Sequence, residues 1–156
     1  MLRPRVMKVA LLHQENGLRT FVIVMAAGDE AMSALASVAR DRHLGASHIS
    51  AIGAFERATV AYFDWPSREY RHIPIDEQVE VLSLSGDITV SDGAPAVHAH
   101  VVVGKADGTA HGGHLVEGHV RPTLEIILTE LPRHLHRRFD PESRLPLIDL
   151  DAPRSA

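Results

Sequence analysis

Four histidines in one short stretch carry the chemistry that this sequence offers. His98 and His100 stand two residues apart in Ala96-Val-His-Ala-His-Val-Val-Val103, and His111 and His114 follow beyond Gly104-Lys-Ala-Asp-Gly108. Side chains alternate along a strand, so His98 and His100 project from one face. A strand returning alongside would set a third imidazole against them. Three neutral imidazoles with a fourth position open form the ligand set of many catalytic zinc sites. The connecting segment suits a hairpin, because its Asp107-Gly108 pair tolerates positive φ.

Register decides which histidine completes the set. If Lys105 pairs with Thr109, His114 lies opposite His100 and shares its face. If Gly104 pairs with Thr109 instead, His111 takes that face, opposite Val102. A slip of one residue exchanges the two, and periodicity leaves both open. Gly112 and Gly113 permit a bulge, which would re-aim a side chain, and the close backbone approach they allow favours His114.

Other polar residues have chemical potential of their own. Glu125 lies in the apolar run 123–128, where it either alternates toward solvent or serves the site as an orienting group or general base. Glu56 is a second acid–base candidate, and Arg57 offers a fork for a substrate carboxylate. His119 falls on the strand face opposite His114. His134 and His136 lie in the basic segment 131–138, which reads as helical or irregular and solvated. Trp65, Pro66 and Tyr70 suggest a loop cap or a subunit contact. His13, His43, His48 and His72 are scattered and suggest nothing.

The elements that position these residues follow from periodicity. Runs at 19–25, 47–53, 56–63, 70–74, 78–85, 87–90, 97–103, 115–120 and 123–129 read as strands, with breaks at Gly53 and Gly86. One helix is expected, with Asp29 as N-cap, an apolar stripe through Met32, Leu35, Ala36, Ala39 and His43, and Gly45 as a left-handed terminator. Short turns dominate the connections. The fold class is therefore α+β, a largely antiparallel sheet with one principal helix packed on it.

Composition bounds the rest. The chain has 156 residues, 16 Lys and Arg against 20 Asp and Glu, a net charge of −4, 11 histidines and no cysteine. That length is one domain over 1–156, with 1–15 and the Pro-spaced 141–156 expected to be peripheral. Without cysteine there is no disulfide, thiolate zinc site or Fe–S cluster. The acidic balance argues against gripping nucleic acid by bulk charge. No apolar run approaches a membrane span or a signal peptide, so a soluble cytoplasmic protein is expected.

Ser50-Ala-Ile-Gly-Ala-Phe55, Glu80-Val-Leu-Ser-Leu-Ser-Gly86, Asp92-Gly-Ala-Pro-Ala-Val-His-Ala-His100 and Gly112-Gly-His-Leu-Val-Glu-Gly118 occur in order. With Gly28-Asp-Glu30 and Arg138-Phe-Asp-Pro141, they strongly resemble the PPC (plants and prokaryotes conserved) domain family over about residues 16–150. The resemblance implies an antiparallel sheet with flanking helices, a homotrimer, and in the prokaryotic branch a three-histidine metal site. Carried over, that site falls on His98, His100 and His114. The family fold is also similar to acetolactate decarboxylase, a zinc lyase. Plant members follow an AT-hook, but here Arg3, Pro4 and Arg5 lack its central glycine.

Three functions are thereby in view. The first is a trimeric module holding zinc, or another divalent transition metal, with a regulatory or protein-interaction role. The second is a small zinc-dependent lyase or hydrolase acting on a small-molecule ligand. The third is DNA binding, as the family's plant members suggest.

Overall fold

Among the described residues, alternating apolar and polar residues build nine strands, and a single run at helical spacing builds one helix. The computed structural model describes residues 6–152; Arg3, Pro4, Arg5 and Pro153 lie outside them. In chain order the elements are β1 (Lys8–Glu15), β2 (Leu18–Ala26), α1 (Ala31–Asp41), β3 (Ser47–Asp64), β4 (Glu69–Ile75), β5 (Val79–Ser91), β6 (Ala94–Gly104), β7 (Ala110–Glu130), β8 (His136–Asp140) and β9 (Leu145–Asp149). The mostly antiparallel sheet with one helix is the expected class.

Strand pairing closes on itself. β3 pairs with β5, β5 with β6, β6 with β7, and β7 again with β3. All these pairs are antiparallel, and among the described residues only β5–β8 is parallel. β2 continues the sheet beyond β7, and β1 and β9 are its outer strands. Both terminal segments read as peripheral in the sequence thus contribute edge strands.

Helix α1 packs on β6 and β7. It buries Ala31, Leu35, Val38 and Ala39. These meet Ala99, Val101 and Val103 of β6 and Leu115, Leu124 and Ile126 of β7 in one core. Each large side chain removed from water there contributes roughly 1.5–3 kcal/mol. Because odd-numbered residues of β6 face the helix, His98, His100 and Val102 face the other way.

Several details differ from expectation. The N-cap is Glu30, whose carboxylate accepts from the backbone N–H of Met32 and Ser33. Asp29 instead closes the preceding turn by accepting from Ala26 N–H at 2.8 Å. At the other end His43, not Gly45, takes the left-handed conformation, with φ 53°. His43 lies past the helix and is no part of its apolar stripe, while Gly45 packs against the ring of His134.

The breaks expected in the strands do not occur. β3 runs through Gly53, which forms an irregularity in the pairing with β5. Its φ is 153°, and a Cβ there would lie 2.3 Å from the carbonyl oxygen of Thr123. Close approach, not chain termination, is what that glycine provides. Gly86 likewise lies within β5, and Arg121-Pro122 within β7. Segment 136–140 is strand β8 rather than helical or irregular.

Candidate metal centre

The β6–β7 hairpin adopts the register in which His100 and His114 are direct partners. Its turn is closed by Lys105 N–H donating to Thr109 C=O at 2.9 Å. Asp107 fastens the same turn by accepting from the Thr109 N–H and hydroxyl. His111 pairs with Val103 and is out of phase with His114. β7 approaches β6 at Gly112 and β3 at Gly113 because these residues carry no side chain. A Cβ on Gly112 would lie 2.7 Å from Val101 O, and one on Gly113 would lie 2.6 Å from Ala61 O.

His98, His100 and His114 converge. One ring nitrogen from each lies within 4.8 Å of those of the other two, so the three could hold a metal ion. Ring centroids are 5.1 Å apart for His98–His100 and His98–His114, and 5.6 Å for His100–His114. Tetrahedral zinc with Zn–N near 2.1 Å separates its nitrogens by about 3.4 Å, inside that 4.8 Å limit.

Burial favours the neutral form of His98 and His114, the form that ligates. Burial pushes His114 down to about 4, and the neighbouring His98, His100 and His72 add to the shift. Burial also lowers His98, with Arg137 contributing next. His114 Nδ1 is buried with no hydrogen-bond partner. Buried polar atoms are normally satisfied, so an orphaned imidazole nitrogen inside a histidine cluster fits a metal ligand. The ring is held instead by stacking on Tyr70, at 4.8 Å and 27°.

His98 has polar support. Arg137 Nη2 donates to the Asp87 carboxylate at 2.8 and 3.1 Å and lies 3.2 Å from His98 Nδ1. Its Nε donates to Thr89 Oγ1 at 2.9 Å and its Nη1 to the Pro146 carbonyl at 3.0 Å. Asp87 stands 4.0 Å from the same His98 nitrogen. Asp87 and His98 are direct partners on β5 and β6.

Arg137 was expected on a solvated basic surface, but its side chain is only 9% exposed. The two-residue parallel pairing of β8 with β5 brings it there. No local pattern announces so short a contact; the one available cue is an aspartate opposite a histidine on neighbouring strands. Tyr70 was likewise read as a loop or subunit element, and His72 as incidental.

The structure does not bring the acid–base candidates to the histidines. Glu125 is exposed near the far end of β7, paired with Ile52 and Val24. Glu56 is ion-paired with Arg121 at 3.1 Å. Arg57 lies against His119, at 3.3 Å. Arg138, from the basic segment, pairs with Asp149. His134 is exposed, and His136 is partly buried in β8.

Residues 12–132 match the Plants and Prokaryotes Conserved (PCC, or PPC) domain. The chain belongs to this family. Among solved structures, a metal-containing protein from Archaeoglobus fulgidus is 30% identical with a TM-score of 0.78, covering 92% of this chain and 98% of that one. A PPC protein from Pyrococcus horikoshii is 28% identical with a TM-score of 0.79, covering 95% and 97%. "Bifunctional protein GlmU" of Synechococcus sp. (strain JA-3-3Ab) is 33% identical over 129 residues, which are 81% of this chain and 20% of that protein. This PPC chain therefore spans about a fifth of the length of the curated relatives it matches.

Proposed function

We propose that this PPC domain is a metal-binding module that holds one divalent ion, zinc by preference, on His98, His100 and His114. The observation that carries the reading is the convergence of three imidazoles with an orphaned buried nitrogen on His114. An all-imidazole set suits zinc better than magnesium or calcium, which take oxygen ligands. Asp87 lies 4.0 Å from His98 Nδ1, beyond hydrogen-bond reach, so it acts on that ring as a nearby negative charge that favours a bound cation. When bound, zinc would supply Lewis acidity and an acidified water. The name of the Archaeoglobus relative, a metal-containing protein, supports the same reading.

A module role fits the comparisons. A domain that nearly fills one relative yet makes up 20% of another is a self-contained unit used in more than one setting. The lyase or hydrolase reading requires a free acid–base group beside the ion. Asp87 is engaged by Arg137, and Glu125 and Glu56 are elsewhere. DNA binding has less support, because the basic segment gives Arg137 to Asp87 and Arg138 to Asp149. Among the described residues no helix is long and apolar enough to cross a membrane.

We also propose a homotrimer. Val24, Ile52 and Ile127 are exposed at 37%, 61% and 46% around Glu125, an apolar patch suited to another copy. Light scattering on the purified chain tests it: a mass near three chains supports the trimer and a monomer refutes it. For the metal, calorimetric titration of zinc into metal-free protein should give one ion per chain. Heat no greater than that of a folded His98→Ala, His100→Ala double variant would refute the site.

A further inference from the structure

A cavity of about 250 Å³ opens on the histidines. It is bounded by His98 and His114, by Tyr70 and Ala96, and by Leu145 and Leu147 of β9. The last two lie beyond residues 12–132, so the C-terminal hairpin supplies a wall that the family match does not include. Pockets for drug-sized molecules run roughly 300–1,000 Å³, so the occupant here is smaller.

Charge narrows its chemistry. No Asp or Glu lines the cavity. The charge of Arg137, which also borders it, is matched by Asp87. Three neutral imidazoles leave a divalent ion's charge unbalanced, and apolar walls strengthen its attraction for an anion. We infer that the cavity binds a small carboxylate with a short apolar body, the carboxylate drawn to the ion and the body lying against Ala96, Leu145 and Leu147. This rests on the metal reading above.

The test uses the full chain loaded with cobalt(II), whose visible spectrum reports changes at the ion. The probes are acetate, 3-methylbutanoate and 3-methylbutanamide. Half-saturation by 3-methylbutanoate should need about tenfold less ligand than by acetate, because three more carbons are partly withdrawn from water. The amide should leave the spectrum unchanged. Leu147→Ser, at a site already 45% exposed, should narrow the difference to within about threefold at unchanged cobalt content. Equal binding of the two acids, an amide that matches the acid, or an undiminished preference in Leu147→Ser would overturn the ligand assignment and leave the metal reading standing. A chain that takes up no cobalt would overturn both.

Discussion

Arg137 joins Asp87 to His98: one guanidinium nitrogen lies 2.8 Å from the carboxylate and 3.2 Å from the imidazole. The C-terminal hairpin is thereby tied to the candidate metal centre through a largely buried ion pair. Arg137→Gln would break that pair and free the His98 ring to rotate. Zinc affinity should fall by up to about 10- to 100-fold, the usual range for a disturbed outer sphere, because Asp87 loses the group that holds it beside His98. Arg137→Lys should recover only part of it, since lysine lacks the planar fork. Competition with a chromophoric chelator measures both, with circular dichroism checking the fold.

Glycine at the hairpin is a matter of space. Gly113→Ala would put a Cβ 2.6 Å from the Ala61 carbonyl oxygen, and backbone there cannot yield cheaply. The strands must separate, at roughly 1–3 kcal/mol. Urea unfolding should show that loss, and zinc uptake should weaken with it because His114 is the next residue. Gly108→Ala meets no such contact, although its φ of 83° still disfavours alanine. It should cost stability with a smaller effect on zinc.

Protons compete with the metal, and the sign can be stated. His114 titrates near 4 in the folded chain because of burial and then its histidine neighbours. In the unfolded chain it titrates near about 6.5. Between those values the unfolded state binds the extra proton, so stability of the metal-free protein falls as pH falls through that window. Urea midpoints from neutral pH to about pH 5 should decline for metal-free wild type. The decline should be shallower in His114→Leu, which has no imidazole to protonate.

Much of this was legible in the sequence, and the exceptions share a cause. Alternation in β6 and the Asp107-Gly108 turn pointed to the hairpin and left its register open between His111 and His114; the paired glycines favoured His114. The family resemblance chose the same histidine. What escaped was set by contacts distant in sequence. Arg137 reaches Asp87 only because β8 lies beside β5. Gly53 continues its strand because Thr123 needs the space, and Glu30 displaces Asp29 as the cap while also accepting from Gly118 N–H at 3.0 Å.

Metal content of purified, untagged variants tests the central claim most directly. After zinc reconstitution and dialysis, wild type and His111→Ala should each hold about one zinc per chain. His98→Ala, His100→Ala and His114→Ala should each lose most of it while keeping the wild-type circular dichroism spectrum. Full zinc in His114→Ala with loss in His111→Ala would contradict the account, as would a wild-type chain that holds none.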